Sequence, residues 1–149
     1  MLLYHFSKMY FLQRGGTILR EGLKPPDNNN VQLDALVDGV VWFTADPNPL
    51  GMFAKPWDRS DCRITCVIPV RDKRLMHWPQ WLRKNLSPDQ HQQAIALNEQ
   101  SGTPWRSYWI YFGAVPRDYL RAVEYADPNL RAQASAERQR DRSKFMNRS

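Results

Sequence analysis

The chain has 149 residues, a length at which one domain buries a hydrophobic core without help from disulfides or a structural metal. A hydrophobic fraction of 42%, with six tryptophans, excludes a disordered chain. The formal charge is +6, and six of the 21 basic residues fall within residues 130–149. We interpret this basic tail either as a solvated extension or as a segment that attracts a polyanion such as nucleic acid.

Two cysteines, Cys62 and Cys66, stand four residues apart in a segment that alternates like a strand, so both point to one face. We expect buried thiols, because a zinc site needs about four ligands and no other His or Cys pair has ligand spacing. The N-terminus lacks the pattern of a signal peptide, and no run of about 18 apolar residues occurs. These features predict a cytoplasmic protein without a metal site.

The first third of the chain alternates between apolar runs and turn residues. Residues 2–6 form a predicted strand, and Ser7 is a suitable N-cap for a helix that runs to about Glu21 and is stopped by Gly22. A proline- and asparagine-rich loop follows over residues 24–30. The apolar run over residues 39–44 predicts a buried strand.

The middle of the chain predicts a long loop over residues 50–61 and then a strand over residues 63–70, which is rich in β-branched residues. A charged turn is expected at residues 71–74, and a helix over residues 78–86. Ser87, with Pro88 and Gln90 after it, predicts the start of a second helix that runs to about Glu99.

After a break at residues 101–104, the aromatic run over residues 108–112 predicts a strand, residues 117–120 one turn, and residues 121–125 a last short strand. Helices and strands in this arrangement predict an α+β domain over residues 1–126, followed by a polar basic extension over residues 127–149.

Several segments resemble the ADP-ribosyltransferase superfamily, whose members include RNA 2′-phosphotransferases, rifampin ADP-ribosyltransferases and DNA-targeting ADP-ribosyltransferase toxins. Residues 3–7 (LYHFS) and 17–23 (TILREGL) are similar to the entry of these folds, and residues 40–44 (VVWFT) to their second signature. Near the C-terminus, residues 106–107 (RS) and 115–120 (VPRDYL) are similar to the end of RNA 2′-phosphotransferases. The likeness covers about a third of the chain.

The resemblance implies a split β-sheet core with flanking helices and an NAD substrate in a cleft between the two sheet halves. Cleavage of the nicotinamide bond passes through a cation-like state, so such a site needs precise positioning, an aromatic shield and charge stabilisation. By this resemblance His5 and Arg106 are the catalytic candidates. The implied NAD-binding residues are His5, Phe6, Ser7, Trp42, Phe43, Thr44 and Tyr108. For Trp42, Phe43 and Tyr108, ordinary core packing is the alternative.

The late strand departs from the family pattern. Mono-ADP-ribosyltransferases carry a carboxylate at the head of this strand, whereas residues 105–108 (WRSY) contain none and Glu99 is the nearest. Arg106 matches the late arginine of RNA 2′-phosphotransferases, but Asp38 and Gly39 stand where that family has a further arginine.

Three interpretations follow. The first is an NAD-dependent ADP-ribosyltransferase that modifies a nucleic acid, a protein or a small molecule. The second is a catalytically degenerate member of the fold, acting as a binding module with a basic tail. The third is an unrelated α+β protein whose tryptophans, Trp78, Trp81, Trp105 and Trp109, form a core or an oligomer interface.

Overall fold

The computed structural model describes residues 1–7, 18, 21–25, 37–47, 62–102, 104–125, 129 and 136. Most of the helix predicted after Ser7, the loop predicted over residues 50–61 and nearly all of the basic extension over residues 127–149 lie outside these ranges. None of the helices within them has the length and hydropathy needed to cross a bilayer.

The described chain forms an α+β domain around one antiparallel sheet of six strands. The strands are β1 (Leu2–Ser7), β2 (Val40–Thr44), β3 (Cys62–Val67), β4 (Leu75–His77), β5 (Tyr108–Phe112) and β6 (Leu120–Tyr125). Their order across the sheet is β4-β5-β2-β1-β3-β6, and every neighbouring pair is antiparallel. The predicted fold class is therefore confirmed at the level of α+β.

Two helices lie between β4 and β5 in the chain, α1 (Trp78–Asn85) and α2 (Pro88–Ser101). Ser87 caps α2 as predicted: its side chain accepts from the Gln90 backbone N–H, and the Gln90 side chain accepts from the Ser87 N–H. Gly102 ends α2 in the left-handed conformation with φ of 67°.

The helix end predicted at Glu21 is confirmed by the residues described there. Ile18 and Glu21 are helical, and the Gly22 N–H donates to the Ile18 carbonyl at 2.9 Å. Gly22 has φ of 86°, and a Cβ at this position would stand 2.0 Å from the Val115 carbonyl oxygen. Only glycine fits there, because both the backbone conformation and the Val115 backbone exclude a side chain.

The sequence-based prediction missed β4 and a 3₁₀ turn at Trp105–Ser107. A strand of three residues is too short for period-two alternation to be recognised, and its pairing with β5 is what defines it. The strand predicted over residues 63–70 instead runs from Cys62 to Val67, and the residues after it connect β3 to β4.

The sheet has a hydrophobic cluster on each face, since neighbouring strand residues point to opposite sides. Val41, Phe43 and Tyr111 belong to the first cluster, together with the buried residues of β1 and β3. Val40 and Ile110 belong to the second cluster, where buried side chains of α1 and α2 cover the sheet.

The six strands form one continuous sheet, and for description we divide it at its least paired boundary, between β1 and β2, into the halves β4-β5-β2 and β1-β3-β6. A single residue pair, Tyr4 with Thr44, joins the halves at this β1–β2 seam, whereas six pairs join β1 to β3 and five join β2 to β5. Residues 68–74 form a crossover that carries the chain from β3 in one half to β4 in the other.

Candidate functional site

His5 lies at the β1–β2 seam, one residue beyond the pair that joins the halves. Its Nδ1 stands 2.8 Å from the Trp42 carbonyl oxygen. A carbonyl oxygen only accepts, so Nδ1 carries the hydrogen and Nε2 is the acceptor of the neutral ring. A side chain therefore links the strands at the position where the backbone pairing stops.

The surroundings of His5 favour its neutral form. The half-buried imidazole packs edge-on against the Phe43 ring, with centroids 5.8 Å apart. Burial lowers the pKa of His5, and the hydrogen bond to the Trp42 carbonyl only partly opposes this effect. At neutral pH the ring therefore presents one donor to the protein and one acceptor at Nε2.

Thr44 ends β2 in a chain of hydroxyl contacts. The Ser107 hydroxyl donates to the Pro104 carbonyl at 2.7 Å, so in its 3.2 Å contact with Thr44 the Thr44 hydroxyl is the donor. The Thr44 oxygen in turn accepts from the Asp46 backbone N–H at 3.1 Å. These bonds fix the turn after β2 and bring residues 106–107 to the Thr44 end of the seam.

The predicted nucleotide-binding side chains divide between the two faces of the sheet. His5 and Phe43 lie on the face of the first cluster, whereas Trp42, Thr44 and Tyr108 alternate to the other. The structure therefore brings His5 beside the backbone of Trp42 and Phe43, but it does not place the His5 and Thr44 side chains on one face.

Trp42 and Tyr108 pack against the helical layer. The Trp42 ring meets Trp78 of α1 edge-on at 4.7 Å and Tyr108 at 6.1 Å. Trp78 is fully buried and stacks on Trp81 at 5.3 Å. These packing contacts are those expected under the alternative to nucleotide binding, and a role of Trp42 and Tyr108 in binding a nucleotide stays a prediction.

Phe6 and Ser7 complete the end of β1. Phe6 is half-buried and packs against the first cluster. Ser7 is buried, and its carbonyl accepts from the Cys62 thiol at 3.4 Å. Both cysteines are buried thiols, as predicted, and burial raises the pKa of Cys66 to about 12 against the opposing charge of Arg121.

Arg106 lies at the protein surface with its side chain 69% exposed. Its Nη2 donates to the Glu99 Oε1 at 2.6 Å, and the guanidinium lies 4.5 Å from the centre of the Trp105 ring. The Arg106 carbonyl accepts from the Nε2 of His77 at 2.7 Å. Glu99 of α2 therefore places a carboxylate beside Arg106, the arginine near the start of the late strand.

The tryptophans do not form one exposed patch within the described ranges. Trp78 and Trp105 are buried in the second cluster, and Trp81 packs on the same cluster. Trp109 packs against the first cluster, with its ring 4.7 Å from His77.

Sequence reasoning missed a polar cluster in the crossover. Asp72 Oδ2 accepts from the Tyr111 hydroxyl at 2.9 Å and from the Tyr119 hydroxyl at 3.0 Å, while Oδ1 accepts from the Arg74 backbone N–H. Partial burial raises the pKa of Asp72, but these hydrogen bonds and the charge of Arg74 outweigh it and leave the pKa lowered. The only feature of the sequence that could have indicated this cluster is the position of Asp72, a single acidic residue within the basic turn at residues 71–74.

Within the described ranges, no three His, Cys, Asp or Glu side chains come together as metal ligands would. Comparisons of the chain with protein-family models, with curated proteins and with solved structures give no match.

Proposed function

We propose that this chain is a cytoplasmic, NAD-dependent protein with an ADP-ribosyltransferase-like fold that transfers ADP-ribose to an acceptor at the β1–β2 seam. The observation that carries the proposal is His5, a neutral imidazole held by the Trp42 carbonyl where one residue pair joins the two sheet halves. In this position Nε2 is the atom that would accept a hydrogen bond from a ribose hydroxyl.

Contacts between the segments that resemble the superfamily support the proposal. His5 bonds Trp42, which joins the first segment to the second signature, and Thr44 contacts Ser107 of the late Arg-Ser pair. Leu23 exchanges backbone hydrogen bonds with Val115, at 3.1 and 2.7 Å, which joins the end of the entry helix to the closing segment. Segments far apart in the sequence therefore contact one another in the fold, although the His5 and Thr44 side chains lie on opposite faces of the sheet.

In the proposed reaction the bond between nicotinamide and C1′ of the ribose breaks, and neutral nicotinamide leaves with the bonding electrons. An acceptor nucleophile then bonds C1′ and loses its proton to solvent or to a base. Arg106 is assigned to a phosphate of NAD, in exchange for Glu99. An exposed ion pair contributes at most about 1 kcal/mol, so this exchange carries a small cost.

The second candidate is a degenerate member of the fold that binds a ligand or partner without catalysis. It is favoured by the engaged state of the predicted site residues: the Thr44 hydroxyl is bonded on both sides, Trp42 packs on Trp78, and Arg106 is paired with Glu99.

Thermal unfolding of the full chain with and without NAD, combined with an assay of nicotinamide release, tests the proposal. At one hundred times its dissociation constant NAD should stabilise the fold by about 2.7 kcal/mol, a rise in Tm of roughly 5–10 °C for a chain of this size. His5→Ala should abolish this shift. His91→Ala on α2 is the matched control and should keep it.

The outcomes separate the candidates. A shift that depends on His5, together with nicotinamide release, supports the transferase. A shift without release supports the degenerate binding module. Absence of any shift at millimolar NAD, with wild-type and His5→Ala proteins equally folded, rejects NAD as the ligand.

A further inference from the structure

Five exposed basic residues lie on two segments that a hydrogen bond between Tyr119 and Asp72 brings into contact. Arg71, Lys73 and Arg74 belong to the crossover, and Arg117 and Arg121 flank the turn that leads into β6. These five residues are called the crossover surface below. The segments are more than forty positions apart in the sequence, so the fold alone brings them together.

The two segments are held in contact by the Asp72 cluster. Tyr119 lies between Arg117 and Arg121, and its hydroxyl donates to Asp72, which lies between Arg71 and Lys73. Asp72 also accepts from Tyr111, which is buried in the sheet. The basic side chains therefore stand on a backbone that is anchored to the core.

The crossover surface carries an uncompensated charge. With the carboxylates of Asp72 and Asp118 included, its five cations leave a formal charge of +3, half of the +6 of the chain. Elsewhere Lys24, Arg63 and Arg106 each form an ion pair with a glutamate. For the five residues of the crossover surface, the described ranges contain no such pair.

We propose that the crossover surface binds the phosphate backbone of a nucleic acid. Four of its five cations are arginines, whose planar guanidinium groups match phosphate oxygens with paired hydrogen bonds. Backbone binding is electrostatic and independent of base sequence. It suits a patch whose one aromatic side chain, Tyr119, is half-buried with its hydroxyl bonded to Asp72.

The composition of the crossover surface favours nucleic acid over other anionic partners. A protein interface of useful affinity needs buried apolar or aromatic anchors. On residues 69–74 and 116–121, the single large hydrophobic side chain that is strongly exposed is Val70, at 71%. The same shortage of apolar side chains argues against insertion into a lipid surface.

Fluorescence anisotropy with labelled oligonucleotides, as single strands and as duplexes, tests the proposal on the full chain. Binding should weaken steeply between about 50 and 200 mM salt. The double variant R71Q/R117Q should bind about tenfold more weakly. It should also lower the slope of log affinity against log salt by about 1.8 for a duplex, since each lost phosphate contact contributes about 0.9.

The matched control is R83Q/K84Q, which removes two exposed charges from the end of α1. It should change the affinity less than twofold. The proposal is overturned if both double variants bind equally well, because the basic extension would then carry the binding. It is also overturned if polyglutamate or phosphatidylserine vesicles compete as well as the oligonucleotide does.

The experiment is independent of the NAD site. His5→Ala should bind oligonucleotides like the wild type, and R71Q/R117Q should keep the NAD-dependent rise in Tm. Circular dichroism of the same samples shows whether each variant is folded. If a folded variant loses both oligonucleotide binding and the NAD-dependent rise in Tm, the two sites are not separate and the proposal is contradicted.

Discussion

The two edges of strand β1 are built differently. Toward β3 the strand is paired at all six residues, from Leu2 to Ser7, and buried side chains of both strands fill the first cluster. Toward β2 it is paired only at Tyr4, and a histidine side chain completes the link. The edge toward β3 pairs its backbone groups with β3 along the whole strand. At the edge toward β2 the backbone pairing stops after one residue pair, and the His5 imidazole lies there with Nε2 as an acceptor.

Contacts outside the ladder compensate for the weak β1–β2 seam. Asp72 receives hydrogen bonds from Tyr111 of β5 and from Tyr119, which leads into β6, so one carboxylate joins elements of both halves. The Leu23–Val115 bridge adds a second connection near the same elements. The halves are thereby held in place while the seam itself stays sparsely paired.

Truncation of a buried side chain at the β1–β3 edge should give the largest effect on stability. Leu3 is fully buried in the first cluster, and Leu3→Ala removes three side-chain carbons from a packed site. We expect the free energy of unfolding to fall by about 3 kcal/mol, measured by urea denaturation.

Leu2→Ala is the matched control, because Leu2 precedes Leu3 on the same strand but is 55% exposed. It should alter the free energy of unfolding by less than about 0.5 kcal/mol. Equal losses in both variants would contradict the assignment of the β1–β3 edge as the structural one.

Removal of the Asp72 carboxylate should give the next largest effect. Asp72→Ala leaves two tyrosine hydroxyls without their acceptor, and we expect a loss of about 2 kcal/mol, measured by urea denaturation. The pKa of Asp72 is lowered in the folded state, so its contribution is present above the unfolded value of 3.8 and is lost as the pH falls below it.

Asp118→Ala removes the same charge from an exposed neighbour of the cluster and is the control. It should leave the free energy of unfolding within about 0.5 kcal/mol of the wild type. If Asp72→Ala behaves like Asp118→Ala, the cluster does not hold the two halves together.

The sequence predicted the elements that local chemistry determines. Ser87 with Gln90 specified the start of α2, Gly22 the end of the entry helix, and the apolar run at residues 108–112 the strand β5. The shared face of Cys62 and Cys66 followed from strand alternation. In each case the pattern of neighbouring residues was sufficient for the prediction, although the approach of Val115 to Gly22 and the burial of the two cysteines belong to the tertiary fold.

The features that sequence reasoning missed depend on pairing across the fold. Strand β4 exists because β5 lies beside it, and the Asp72 cluster forms only when the crossover meets Tyr119. The separation of His5 from Thr44 likewise depends on the register of β1 against β2, which no local pattern fixes. The residues predicted to bind a nucleotide were therefore proposed as a set before their division between two faces could be known.

The smallest predicted effect concerns the protonation of His5 at the β1–β2 seam. Its pKa is lowered in the folded protein, so below the ordinary value of 6.5 the unfolded chain binds a proton that the folded chain does not. The free energy of unfolding should therefore decrease as the pH falls from 6.5 toward the folded pKa, with a slope of at most about 1.4 kcal/mol per pH unit. Urea denaturation across this window measures the slope, and His5→Gln should reduce it while His91→Gln leaves it unchanged. A wild-type slope that survives in His5→Gln would show that His5 is not a neutral, half-buried group at the seam, and the acceptor role proposed for Nε2 would lose its physical basis.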